Sequence, residues 1–381
     1  MQKKTCYVLI ILVISITTFS KSFSQEVSTI VPPGSTFDDA LSMDNEGNIF
    51  ASRYNGSTIT KISNSGATSI FASGISTPNG SDFGKDGYLY VPSNVSSGRI
   101  VRISPEGVTE NFIASIPVPT TVLFREDGKM YICSYQQNKI YLADSTGSYK
   151  ILYTGNGLNG PVGMREDENG NLLIANYTDG KIFSVSPAGV FTSIAQINGI
   201  IGFIEYANGY IYATGFNTHK IYKITLNGQI SVLAGTGATG QANGPAASAT
   251  FNGPNGIVAS PGGDSLYISD YYARSLRLIT GVTVGVVNIS SLIPDGYELS
   301  QNYPNPFNPE TNIIYQIPVA EKVTLKISDV NGKEIETLVN EFQYSGRYRI
   351  NFNGINYSSG IYYYTIKSGL FSKTMKMIMI K

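Results

Sequence analysis

Three oxygen-bearing side chains, Asp39, Asn79 and Asn255, occupy one place in a recurring pattern: each stands directly before a small residue (Ala40, Gly80, Gly256), and a turn glycine (Gly47, Gly87, Gly263) comes seven positions after that. Three further copies carry Thr120, Val162 and Ile201 at the equivalent place. If equivalent positions meet around one axis, a carboxylate and two amides converge and offer oxygen ligands to a hard cation of the Ca2+ type. One carboxylate makes a weak site for such an ion unless Asp270, at the end of its strand, also reaches in. A second ring follows in the same register, Arg53, Ser93, Ser134, Asn176, Gly215 and Asp270, trailed in five copies by Tyr54, Tyr135, Tyr177, Phe216 and Tyr271. Recurrence of an aromatic at five of six places favours packing between neighbouring units. Polar and aromatic groups around a mouth also suit a glycan, a peptide or a small polar ligand, for which Arg53, Tyr54, Asn176, Tyr177 and Tyr271 are the candidates.

Other chemistries are poorly supplied. His219 is the only histidine, which excludes three-histidine zinc sites and any acid/base scheme that needs a second imidazole. No nucleophile-elbow G-x-S-x-G occurs, so a serine hydrolase is rejected. Gly235, Gly237 and Gly240 spell G-x-G-x-x-G, but Gln241-Ala242-Asn243-Gly244-Pro245 follows and opens no helix to receive a pyrophosphate. Asp44-Asn45-Glu46-Gly47 and Asp167-Glu168-Asn169-Gly170 recur where hairpins turn, and hairpin chemistry accounts for them. Cys133 sits in the apolar run Met130-Tyr131-Ile132-Cys133 and reads as a buried, inert thiol.

What must position these residues is a set of strands. The chain of 381 residues holds 40 Gly, 26 Tyr and no Trp, is 14% charged, and balances 27 basic against 27 acidic groups, a composition of short strands and tight turns. Lys and Arg are nowhere clustered, so neither nucleic acid nor an anionic membrane is an expected partner. The turn glycines Gly47, Gly87, Gly128, Gly170, Gly209 and Gly263 are spaced 40, 41, 42, 39 and 54 apart, each followed by two strands and, in the first five units, by a further outer strand. A period near 40 with several strands per unit predicts an all-β fold, a six-bladed β-propeller. The sixth unit lacks an outer strand, and Val27-Ser28-Thr29-Ile30-Val31 is expected to supply it and close the ring.

The N-terminus carries Lys3, Lys4, an apolar run from Cys6 to Phe19 and Ser22-Phe23-Ser24, which reads as a secretory signal peptide over 1–24. Its removal leaves 24 basic against 27 acidic residues and one cysteine, so no internal disulfide is expected. The segment Gly235-Thr236-Gly237-Ala238-Thr239-Gly240, Asn243-Gly244-Pro245, Ala249-Thr250-Phe251, Pro254-Asn255-Gly256 resembles NHL-repeat propellers, and the looser units are similar to SMP-30/gluconolactonase propellers. The second resemblance implies metal ligands at Asp39, Asn79 and Asn255, although Val162 and Ile201 are apolar where those enzymes use polar groups.

Beyond Gly281 the strand period changes, and alternation through Thr311–Ile317, Val323–Ile327, Tyr348–Phe352 and Ile361–Ile366 predicts a small Ig-like β-sandwich. Gln301-Asn302-Tyr303-Pro304-Asn305-Pro306-Phe307-Asn308-Pro309, the Ile327–Gly332 turn, Ser359-Gly360-Ile361-Tyr362-Tyr363-Tyr364 and Thr374-Met375-Lys376-Met377 closely resemble the C-terminal sorting domain of the type IX secretion system of Bacteroidetes. That resemblance implies passage across the outer membrane, with the secretion machinery and its sortase as partners, and surface attachment or release. The expected organisation is a signal at 1–24, a propeller at 25–281, a linker at 282–296 and a sorting domain at 297–381. The expected function is non-catalytic binding, with a Ca2+-dependent lactonase or related hydrolase as the alternative.

Overall fold

A computed structural model describes residues 25–381 apart from 126, 283–286, 291–293, 344 and 356, so the signal segment 1–24 lies outside the described residues. Six antiparallel sheets follow one another along residues 26–280, the first five each built by four strands consecutive in sequence. Blade one comprises Leu41–Met43, Ile49–Ser52, Thr58–Ile62 and Thr68–Ser73 from the axis outward. The second strands Ile49–Ser52, Leu89–Ser93, Met130–Ser134 and Leu172–Asn176 are buried along their whole length, because each lies between two blades. Strands covered on both faces read as continuous apolar runs, and these do. The outer strands are largely exposed, as in Tyr149–Thr154.

Ring closure follows the expected route. The strand Glu26–Val31 pairs antiparallel with Ser275–Thr280, Val27 opposite Ile279 and Thr29 opposite Arg277, and becomes the outer strand of blade six. A short strand, Gly244–Pro245, adds to its free side, so this sheet has five strands.

The small-residue column has a steric cause. A Cβ on Gly256 would stand 2.3 Å from the Asp39 carbonyl oxygen, and one on Gly80 would stand 2.5 Å from Thr121 Oγ1 and 2.9 Å from the Phe203 ring. Only a small residue there lets adjoining inner strands approach. In blades three to six the register slips within the innermost strand, as between Ile201 and Ile204 or Pro254 and Ile257, and such a bulge re-aims side chains towards the axis.

The C-terminal strands form two four-stranded sheets, Val287–Ser290 with Gly346–Asn353, Glu310–Ile317 and Glu298–Leu299, and Glu334–Gln343 with Glu321–Ser328, Gly360–Ser368 and Phe371–Met379. Alternate residues such as Ile313, Tyr315, Leu325, Ile350 and Ile366 face inward and make the core of an Ig-like sandwich. Val287–Ser290 falls in the stretch read from sequence as linker; its backbone pairs with Gly346–Asn353, because an extended Val/Ser stretch finds an open sheet edge there.

The Gln301–Pro309 motif is a clasp between these sheets. Buried Asn302 donates its amide to Pro304 O and Thr311 Oγ1, its backbone N–H donates to Tyr364 Oη at 2.9 Å, and Tyr364 donates onward to Ser300 O at 2.8 Å. Asn305 Oδ1 accepts from Ile378 N at 2.9 Å, while Phe307, itself buried, exchanges backbone bonds with Ile378 and Ile380. The motif therefore fixes the last strand.

Candidate functional site

At one end of the propeller axis lies a cavity of about 350 Å3. Its polar floor comes from the inner strands and the residues that lead into them, with Asp39, Asn79, Thr120 and Asn255, to which Val162 and Phe203 add apolar surface. The sequence column thus converges for Asp39, Asn79 and Asn255. Asn255 donates its amide to Asp39 Oδ1 across the seam between blades six and one. Asp39 is 2% exposed, and its second oxygen, Oδ2, is buried without a hydrogen-bond partner. Burial, with the charge of Asp38 beside it, holds this carboxyl well above the usual aspartate range. Thr120 Oγ1 donates to Pro161 O at 3.1 Å, and Asn79 Oδ1 accepts from Gly80 N at 2.9 Å.

The rim is aromatic. Tyr54, Tyr135, Tyr177, Phe216, Tyr271 and Tyr272 line the mouth, and Asn94 takes the place of an aromatic in blade two. Five of them touch in series, with centroids 5.9 Å apart for Tyr135–Tyr177, 6.4 Å for Tyr177–Phe216, and 5.5 Å from Phe216 to both Tyr271 and Tyr272. Packing and lining are thus the same residues: each ring seals against its neighbour while presenting surface to the cavity. Burial raises the Tyr54 and Tyr177 phenols and pushes Tyr271 up to about 12, so these hydroxyls stay neutral.

Several candidates lie elsewhere. Asp270 does not line the funnel: its oxygens accept from Asn252 N at 3.0 Å, from Gln241 and from Arg277 Nη1 at 3.3 Å. Both members of that ion pair are fully buried, and desolvation raises Asp270 to about 6 and lowers Arg277 despite their attraction. Arg277 also donates to Thr250 O, Ala242 O and Asn243 Oδ1, which anchors the long segment 235–253 to blade six. Asn176 faces into its own blade, with its amide on Gly157 O and Asp179 Oδ1. The Arg53 side chain lies along Gly56 and its charge faces Asp38. Asn176 and Asp270 are the last residues of their strands and are held by bonds within their own blades, while Tyr177 and Tyr271, in the turns that follow, line the cavity.

Sequence reasoning missed Phe203, Asn94 and Tyr272. Phe203 is the only aromatic one place after the small-residue column, where the other units carry Leu41, Ser81, Val122, Met164 and Ile257. It reaches across the axis to Gly80 of blade two and floors the funnel. His219 is a loop residue with φ 55°, whose Nδ1 accepts from Gly253 N at 3.1 Å while Nε2 meets Thr239 Oγ1. Cys133 is buried, and burial pushes its thiol up, as an inert cysteine requires.

The donors do not fit the divalent cation that a lactonase would hold. Hard cations of the Ca2+ type take about six to eight oxygens, several of them carboxylate. Here one carboxylate stands with two amides, one of which turns its nitrogen to Asp39, and no group of three His, Cys, Asp or Glu able to hold a metal occurs among the described residues.

Solved structures share the propeller. An auxiliary nutrient binding protein from Bacteroides ovatus is 15% identical with TM-score 0.58, covering 68% of this chain and 76% of its own. A gluconolactonase from Xanthomonas campestris is 12% identical with TM-score 0.54, over 67% and 89%. A virginiamycin B lyase from Staphylococcus aureus is 18% identical with TM-score 0.50, over 66% and 82%. At such identities the likeness is one of fold. No curated protein matches the sequence. The family model described as secretion system C-terminal sorting domain matches residues 301–381.

The C-terminal sandwich is a sorting domain. A sorting domain directs export to the cell surface or the extracellular space and implies interaction with the type IX secretion machinery. The Asn302 clasp and the last strand, Phe371–Met379, both belong to it.

Proposed function

We propose that the protein is an exported binding module whose propeller, residues 25–281, holds a small ligand non-covalently in its funnel, while residues 297–381, joined through 282–296, serve delivery. The observation that carries this reading is a cavity of about 350 Å3 with an aromatic rim over a floor whose polar groups each engage an internal partner. Such a site orients a ligand by contact and charge. General acid/base chemistry would need a paired donor and acceptor free to exchange protons, and hydrolysis by the lactonase route would need a metal that the donor set does not fit. Nutrient binding by a protein of the same fold agrees with this reading.

The test is a thermal-shift screen of sugars, amines, amino acids and short peptides, run on the protein and on a Tyr135→Leu/Tyr177→Leu variant. Stabilisation by a compound that the double variant no longer binds is expected. Ca2+-dependent lactone turnover lost in Asp39→Ala would replace binding by catalysis.

A further inference from the structure

We propose that the funnel recognises an organic ammonium ion, a quaternary or methylated amine of about choline size, with its charge set against Asp39 and its methyl groups against the aromatic arc. This deepens the binding reading and rests on it.

Three observations converge. The first is charge: among the residues lining the cavity Asp39 is the only charged one, and no lysine, arginine or histidine joins it. An anionic ligand would meet a carboxylate and no counter-charge. The second is the state of that carboxylate, which has Asn255 on one oxygen and nothing on Oδ2, although the residue is almost entirely buried. Burial without a counter-charge disfavours the ionised form of this carboxyl, and a bound cation is the partner that restores it. Asp38 beside it is a like charge, and the nearby arginines, Arg53 and Arg274, act on Asp38, which also accepts from Tyr54 N at 2.6 Å.

The third is the rim. The rings from Tyr135 through Tyr177 and Phe216 to Tyr271 and Tyr272 form a continuous arc, with Tyr54 also on the mouth. Ring faces attract cations, and aromatic cages bind quaternary ammonium groups in this way. A neutral sugar asks for something different, namely several directional groups available to its hydroxyls. Here Asn79, Asn94, Thr120 and Asn255 each engage an internal partner already: Gly80 N, Pro119 O, Pro161 O and Asp39. A charge held by ring faces and a buried carboxylate needs no such directional set, and a cavity of about 350 Å3 leaves room for a choline-sized ion.

The experiment is calorimetric titration of the full protein with choline, with its uncharged carbon isostere 3,3-dimethylbutan-1-ol, and with methyl glucoside. Choline is expected to bind about tenfold or more tightly than the isostere. Asp39→Asn should abolish that preference while the isostere binds as before, and Tyr177→Leu should weaken choline several-fold. The comparison of choline with its isostere needs no variant, so a poorly folded Asp39→Asn leaves the test intact. Equal affinity for choline and isostere, or binding of methyl glucoside with none of choline, overturns the cation assignment while leaving a ligand-binding funnel. Failure of these three and of every compound in the wider screen removes both readings.

Discussion

Asn255 donates its amide to Asp39 over 216 residues of chain, and this hydrogen bond crosses the seam where the last blade meets the first. Ser269 Oγ also donates to the Asp39 carbonyl, and the backbone of Gly256 lies against the same oxygen. The floor of the funnel is therefore assembled only when the ring closes. The strand that completes blade six, Glu26–Val31, is a structural precondition of the site although it contributes no lining residue.

Ser28→Pro tests that dependence, since Ser28 is the mid-strand residue whose backbone faces Leu278 of the neighbouring strand. Proline removes a ladder donor from the closing strand and should lower stability by about 2–3 kcal/mol in urea unfolding. The segment 235–253 is tied to this strand through Ala246 N on Gln25 O and Thr29 Oγ1 on Asn243 Oδ1, so limited proteolysis should cut there first. A variant with unchanged stability and an uncut loop would mean that closure is dispensable.

Arg277→Ala should cost about 3–5 kcal/mol, because it leaves the Asp270 carboxylate buried without its charge partner. Three acceptors on the long segment also lose their donor. Chemical denaturation reads the loss directly, and a change below about 1 kcal/mol would contradict the anchoring role.

Asp82 predicts how stability depends on pH. Burial raises its carboxyl to about 6 even though it accepts from the backbone N–H groups of Phe83 and Phe124. Its pKa is higher in the folded state, so its contribution is fully present below about pH 4 and is lost as pH rises through 6. The loss is about 3 kcal/mol, taking 1.36 kcal/mol per pKa unit. Urea midpoints between pH 4.5 and 7.5 should show this decline, and Asp82→Asn, which cannot titrate, should make it shallower, the remainder coming from the buried carboxyls of Asp270 and Asp39. An unchanged slope in the variant would assign the effect to other groups.

Asn302→Ala should destabilise the sorting domain by about 2–3 kcal/mol, since it removes three side-chain bonds and leaves buried Thr311 with one partner fewer. Export is expected to fall with it. Deletion of residues 297–381 should abolish surface delivery altogether, measured by fractionation of producing cells; normal delivery of the deletion would contradict the role of the domain.

How far the sequence could be read follows from its periodicities. Six copies of a 40-residue pattern put equivalent residues in register, so the blades, the closing strand and the meeting of Asp39, Asn79 and Asn255 could be inferred from spacing alone. The second ring failed at Asn176, Asp270 and Arg53 because spacing along the chain does not state where a side chain at the end of a strand points. Phe203 escaped for a related reason: its aim towards the axis depends on the bulge between Ile201 and Ile204, which no local pattern announces. The ion pair of Asp270 with Arg277 is a contact across neighbouring strands, and a carboxylate so placed looks like a ligand until its partner is seen. In the C-terminal region, the motif from Gln301 to Pro309 was recognisable as a pattern, whereas its work as a clasp on Ile378 needed the fold.

The claim that the funnel binds and does not transform its ligand meets its most direct test in one measurement. The best-binding compound of the screen is incubated at high concentration with the protein, with and without Ca2+, and then analysed by mass spectrometry. Recovery of the compound unchanged under both conditions is the predicted result. Ca2+-dependent conversion that disappears in Asp39→Ala would contradict it.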